Sequence, residues 1–130
     1  MSKVSILIVE TDPASRRFYE SVFSVSQDWH VVFCTSFRSA LKLLSERTFD
    51  YVISEGFIED SSITGLDFLK KVSTDYPETI RIYVSGSIVP ASEDYYYFHA
   101  YINKVELDCN SLLEVMNYMT DSLEINAELI

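Results

Sequence analysis

Phe49-Asp50-Tyr51-Val52-Ile53-Ser54-Glu55, then a polar loop, then Thr64-Gly65-Leu66, is the run whose reading decides the fold. Tyr51, Val52 and Ile53 form a short apolar segment rich in strand-forming side chains and bounded by polar residues. That is the pattern of a strand buried on both faces in the middle of a parallel sheet. Glu55 stands where this strand ends. In open α/β sheets chemistry collects in the crevice at the carboxyl ends of the strands, so a carboxylate placed there is a candidate site residue.

Working outward, Val4-Ser5-Ile6-Leu7-Ile8-Val9 is a second buried strand, and it also delivers a carboxylate, Glu10, at its carboxyl end. After Thr11, Asp12-Pro13 predicts a helix start: the Asp side chain accepts an orphan backbone N–H, and Pro gives up a donor that had no partner. Asp12 is therefore read as a cap. The helix is expected to bury Ala14, Phe18, Val22 and Val25 and to leave Arg16, Arg17 and Glu20 in solvent. A strand from His30 to Cys34 follows, then a helix capped by Ser36 with Phe37, Ala40, Leu41 and Leu44 inward. Beyond the polar loop, Gly65 leads a helix carrying Leu66, Leu69 and Val72, stopped at Asp75-Tyr76-Pro77.

Ile80 to Val84 reads as the fourth strand, ending in Ser85-Gly86. Pro90 to His99 is expected to be a short helix, although four consecutive aromatics, Tyr95 to Phe98, cannot all face inward. Tyr101-Ile102 is a short fifth strand running into Asn103-Lys104. A last helix, starting near Asp108 or Asn110, is expected to bury Leu112, Leu113, Met116, Met119 and Leu123, with residues 124–130 as a tail. The order is β-α five times over, which implies an α/β protein of the flavodoxin-like (βα)5 type. Its doubly wound parallel sheet would have strand order 2-1-3-4-5. The switch point then falls between the first and third strands and brings Glu10 and Glu55 together.

At 130 residues, with 48% hydrophobic and 23% charged side chains, the chain is expected to form a single domain over 1–130 with its core about 4–123. No apolar run approaches membrane-spanning length, and the start does not read as a signal peptide, so a cytoplasmic protein is expected. A formal charge of -10 with few, scattered basic residues argues against nucleic-acid binding. Cys34 and Cys109 lack any paired spacing and are expected to be buried, reduced thiols.

The set of residues at these strand ends resembles the receiver domain of two-component response regulators, from about Val4 to about Leu123. In that family an acid pair after the first strand, an aspartate ending the third, a Ser or Thr after the fourth and a Lys after the fifth form a magnesium-dependent phosphoacceptor pocket. The matching positions here are Glu10-Thr11 (with Asp12 beside them), Glu55, Ser85 and Lys104, and the family's switch aromatic in the fifth strand corresponds to Tyr101. Leu-Ile-Val-Glu-Thr-Asp-Pro and Thr-Gly-Leu-Asp-Phe-Leu strengthen the likeness.

Four departures bear on function. Glu55 replaces the aspartate, moving its carboxylate on by roughly 1.5 Å, whereas a misplacement of about 1 Å already slows a reaction about a hundredfold. Thr11 removes a metal-facing acid. The loop from Glu55 to Gly65 is longer than the family's, lacks its Pro and carries Glu59 and Asp60, which read as a polar loop, with a substitute acceptor or metal ligand as the alternative. Val105 replaces the Pro that commonly follows the lysine, and the segment from Ser85 to Lys104 is short.

Two carboxylates about 5 Å apart repel by about 3 kcal/mol at an effective dielectric near 20, and a lysine between them offsets much of that. No cofactor is expected; were Mg2+ to bind, Glu10 and Glu55 would be its ligands. The expected function is a stand-alone pseudo-receiver that acts through protein contacts without phosphotransfer. The alternative is an unconventional receiver phosphorylated by a histidine kinase at Glu55 or a nearby acid. An enzyme on this fold is not supported, because there is no Gly-rich phosphate loop and no nucleophile beside a base. The partners implied are a histidine kinase, a downstream target or a second copy of the chain. Tyr95, Tyr96 and Tyr97 are the candidate partner face.

Overall fold

The computed structural model describes the backbone of residues 3–128 and the side chains of residues 3–119. Five parallel strands form one sheet in the order β2-β1-β3-β4-β5. They are β1 (Val4–Val9), β2 (Trp29–Cys34), β3 (Tyr51–Glu55), β4 (Ile80–Ser85) and β5 (Ala100–Asn103). The helices are α1 (Pro13–Phe23), α2 (Phe37–Glu46), α3 (Gly65–Asp75) and α4 (Cys109–Glu128).

β3 lies between β1 and β4, with Val9 opposite Ser54 and Glu55 opposite Val84, and all five of its residues are buried. Strand alternation divides the interior in two. Leu7, Val9, Val52 and Tyr83 join a core with Phe37, Phe68 and Leu69 of α2 and α3. Ile6, Ile8, Ile53 and Val84 join another with Tyr19 and Phe23 of α1 and Leu112 and Met116 of α4. Each such aliphatic side chain taken fully from water contributes about 1.5–3 kcal/mol, which is why β3 tolerates no polar face.

Local signals place the helix starts. Asp12 accepts from the Ser15 N–H at 3.1 Å and Ser36 from the Ser39 N–H at 3.1 Å. Thr64 and Asp67 form a reciprocal capping box at α3.

Several expectations are corrected. The stretch from Pro90 to His99 holds no α-helix; it forms one 3-10 turn at Ser92–Tyr96, so among the described residues four α-helices accompany five strands. Phe98 drops into the core, 5.5 Å from the Tyr83 ring, while Tyr95 and Tyr96 stay outside, and a continuous helix does not satisfy both in so short a connection. In α1 the buried residues are Tyr19, Val22 and Phe23; Ala14 is exposed, and Val25 lies past the helix end, also exposed. Phe68 joins the inward stripe of α3, and β2 starts one residue early, at Trp29. Cys34 is buried, but Cys109 is exposed because it opens α4 at the surface. Leu123 falls outside the described side chains.

At the amino end of β4, Arg81 is buried with no carboxylate partner among the described residues, its guanidinium donating to the carbonyls of Thr79 (2.9 Å), Tyr97 (3.0 Å) and Pro77 (3.2 Å). The Arg81 N–H donates to His99 Nδ1 at 2.9 Å. Burial and the nearby guanidinium hold the His99 imidazole below its ordinary value of 6.5. The folded state therefore resists protonation more than the unfolded chain does, and this contribution is present above 6.5 and lost as pH falls through the folded value. Stability should decline as pH falls below 6.5, by a small amount because the His99 residue is exposed, and His99→Gln should flatten that slope in urea titrations. An unchanged slope would place the acid sensitivity elsewhere.

Candidate functional site

Glu10 follows β1 and Glu55 closes β3. Because β1 and β3 are neighbours at the switch point, their carboxylates open into one cleft at the carboxyl edge of the sheet. Lys104, directly after β5, reaches back across β4 to both. Its Nζ donates to Glu55 Oε2 at 2.5 Å and to Glu10 Oε2 at 3.1 Å. The remaining oxygens are also engaged: Glu10 Oε1 accepts from the Asp12 N–H at 2.9 Å and Glu55 Oε1 from the Gly56 N–H at 2.8 Å. The Glu10 and Glu55 side chains are only 3% and 8% exposed, whereas Lys104 is 29% exposed.

Burial pushes the Glu10 carboxyl above its ordinary value, although the Asp12 N–H and Lys104 counteract. For Lys104 burial pulls downward, but the hydrogen bonds and charges of Glu55 and Glu10 outweigh it and hold the ammonium above its ordinary value. The lysine is charged across the physiological range.

The cleft measures about 320 Å3 and is completed by Thr11, Asp12, Phe57, Gly86 and Ser87. Phe57 and Ser87 were not singled out from the sequence. Their signal was position: both lie in loops directly after strand ends, where crevice residues collect. Asp12 spends one carboxylate oxygen on the Ser15 N–H and hydroxyl as the α1 cap.

Ser85 does not line the cleft. It is fully buried, with its Oγ accepting from the Ile88 N–H at 3.1 Å while the Tyr83 hydroxyl donates to the Ile88 carbonyl at 2.7 Å. Burial pushes that tyrosine hydroxyl up to about 12. A Cβ on Gly56 would collide with Ser85 Oγ and the Tyr83 hydroxyl, so the backbone after Glu55 can pass this pair only as glycine. Tyr101 is half-buried, its ring 5.6 Å from that of Tyr83 and its hydroxyl donating to the Ser85 carbonyl at 3.2 Å.

Glu59 and Asp60 are exposed and do not line the cleft. Asp60 has φ 66 in a turn closed by the Ser61 N–H on the Ile58 carbonyl at 3.1 Å, a conformation that Asp tolerates better than most residues. Tyr95, Tyr96 and Tyr97 lie on the β4–β5 connection, outside the cleft. Tyr96 is the most open at 83%, Tyr95 packs on Phe98 at 4.9 Å, and Lys70 Nζ sits 5.2 Å over the Tyr97 ring.

The donor set does not suit a magnesium ion. Every carboxylate oxygen of Glu10 and Glu55 already accepts from an N–H donor, Thr11 supplies no charge, and Asp12 caps a helix. Among the described residues no group of three or more His, Cys, Asp or Glu side chains is arranged to hold a metal. A small hard dication needs carboxylates it can engage without first displacing an ammonium.

A family model described as the response regulator receiver domain matches residues 6–100. The chain belongs to this family. Solved receiver structures superpose over nearly its whole length. A CheY-like receiver domain protein from Methanospirillum hungatei JF-1 is 22% identical with a TM-score of 0.81, covering 96% of this chain and 99% of that one. The receiver domain of an HD domain-containing protein from Pseudomonas fluorescens Pf-5 is also 22% identical, with a TM-score of 0.78 and coverages of 92% and 96%. TrrA of Thermotoga maritima, solved with magnesium and beryllofluoride, is 17% identical with a TM-score of 0.77 and coverages of 88% and 97%. None of the curated proteins compared with the chain matches it.

As a receiver, the chain has the α/β, flavodoxin-like order expected from its strand pattern. The family match ends before Lys104, whose correspondence to the receiver lysine rests on its place after β5 and its reach into the cleft. Among the described residues no helix is long and apolar enough to cross a membrane.

Proposed function

We propose that this receiver works as a phosphorylation-independent, non-enzymatic signalling module in the cytoplasm, exchanging information through protein contacts within a two-component or phosphorelay pathway. One observation carries the reading: Lys104 bonds Glu55 and Glu10 together, and the backbone takes their remaining oxygens. For Glu55 to attack a phosphoryl group, its carboxylate would have to leave both Lys104 and the Gly56 N–H, and it stands one methylene further out than an aspartate. The ammonium supplies internally the positive charge that the family resemblance assigns to the metal. With Tyr101 packed against Tyr83 and bonded to the Ser85 carbonyl, the switch-aromatic position is tied to β4, which supports a receiver held in one state.

Acetyl phosphate with magnesium, read by intact mass, should leave the protein unmodified. Beryllofluoride should produce no saturable amide shifts at Glu10, Glu55 or Ser85. A phosphoryl adduct mapped to Glu55, Glu59 or Asp60 would overturn the reading and restore the alternative of an unconventional working receiver.

A further inference from the structure

The charge of this protein is unevenly placed. Residues 1–50 carry six acidic and six basic side chains, while residues 51–130 carry fourteen and four, so the whole formal charge of -10 belongs to the second part. The sheet order separates the two in space: β2 and β1 come from the balanced part, and β3, β4 and β5 from the acidic one. From Gly86 to Met119, Lys104 is the single Lys or Arg, and Glu10 and Glu55 hold it.

That same region exposes large apolar side chains. Tyr95 is 53% exposed, Tyr96 83%, Val105 90% and Tyr118 67%. They belong to elements that flank the edge strand β5 on both faces. On one side, rings stack from Tyr95 to Phe98 (4.9 Å), to Tyr83 (5.5 Å) and to Tyr101 (5.6 Å), which anchors the 3-10 turn to β5. On the other, Leu112 and Met116 of α4 share a core with Ile102. The acids interleaved with these side chains are Glu93, Asp94, Glu106, Asp108 and Glu114.

We infer that the β5 edge, with the 3-10 turn before it and the start of α4 after it, docks a basic protein segment: Lys or Arg side chains around apolar anchors that cover Tyr95, Tyr96 and Val105. This rests on the contact-module reading above and adds the chemistry of the partner. A predominantly acidic charge pattern, in which Lys104 is neutralised by two carboxylates and Lys70 beside Tyr97 is a flanking cation, selects a cationic partner and repels phosphate backbones and anionic bilayers. It also disfavours a second copy of the chain, because a two-fold interface sets a patch against itself and would face acids with acids. Exposed tyrosines supply rigid contact area, and the acids supply steering that weakens with salt.

The test uses the full chain, isotope-labelled, titrated with a synthetic amphipathic helix of Leu and Lys and with its Leu and Glu counterpart. The basic peptide should give saturable shifts confined to residues 92–106 and the start of α4, weakening as salt rises. The doubly reversed variant Glu93→Lys/Glu106→Lys should bind roughly tenfold more weakly. Tyr96→Ser should also weaken binding while leaving the fold's spectrum intact. Equal binding of the Leu and Glu peptide, shifts spread over the β2 side, undiminished binding by the reversed variant, or a concentration-dependent dimer through this face would each overturn the inference. A phosphoryl adduct from acetyl phosphate would instead defeat the contact-module reading while leaving the peptide result standing, so the two failures are distinguishable.

Discussion

Lys104→Met should lower the unfolding free energy by about 3 kcal/mol at neutral pH, because it strips the ammonium from two carboxylates that stay buried. Methionine keeps most of the aliphatic stem, so packing changes little and the loss reports the charges. The 29% exposure of Lys104 allows some solvent screening and places the value at the low end for a broken buried pair. The pH dependence carries the sharper signature. Burial already holds the Glu10 carboxyl high; without Lys104 it should rise further and the folded state should take up a proton that the unfolded chain does not bind. The defect is then greatest above the new folded value and shrinks as pH falls through it toward the ordinary carboxyl value of 4.5. Urea unfolding of both proteins at pH 7 and at pH 5 measures this. A loss under about 1 kcal/mol at pH 7, the range of exposed ion pairs, would show that the cleft is not held shut by its lysine.

Gly65→Ala is expected to be as damaging for an unrelated reason, and there two opposing effects have to be weighed. Ala is the better helix former by about 1 kcal/mol, so at the first position of α3 the exchange looks favourable on propensity. The structure reverses the sign. A Cβ on Gly65 would overlap the carbonyl oxygen of Glu55, and it would lie 2.9 Å from the Glu55 carbonyl carbon and 3.0 Å from Gly56 Cα. All three are backbone atoms that cannot rotate away. The Gly65 N–H also donates to the Gly56 carbonyl at 2.8 Å, so α3 cannot back off without losing that bond. Forced overpacking of this kind costs about 1–3 kcal/mol, and the displacement falls on the residue whose carboxylate meets Lys104. Thermal and urea unfolding should show the loss, and the amide resonances of Glu55 and Gly56 should move. A variant as stable as the parent would mean that the loop after β3 yields easily.

The sheet was readable because strand burial writes itself into local composition. Ile6 to Val9, Val52-Ile53 and Ile82 to Val84 are apolar without a break because helices cover both faces of the sheet. Parallel pairing with right-handed crossovers then left few ways to order the strands. Helix starts were readable at Asp12 and Ser36 because caps are local hydrogen bonds, whereas the Thr64–Asp67 capping box of α3 emerged only in the structure. Burial within α1 was misread at Ala14 and Val25, and the β4–β5 connection was misread as a helix, because aromatic side chains fit several periodicities and tertiary space chooses among them. Tyr83 and Phe98 claim the room beneath that connection, leaving Tyr95 and Tyr96 outside.

By itself the sequence determined that four of the five strands would deliver Glu10, Glu55, Ser85 and Lys104 to one edge of a sheet, since strand length and alternation carry each side chain to a definite end and face. Only the tertiary structure decided what those residues do to one another. Lys104 spans from β5 to two carboxylates that are 94 and 49 residues away in the chain, while Ser85 turns from the cleft toward the Ile88 backbone. The physical reason is that hydrogen-bond partners are chosen by distance and direction over a few ångströms, and no local pattern of residues encodes which of several reachable acceptors a flexible lysine or a rotating hydroxyl will take.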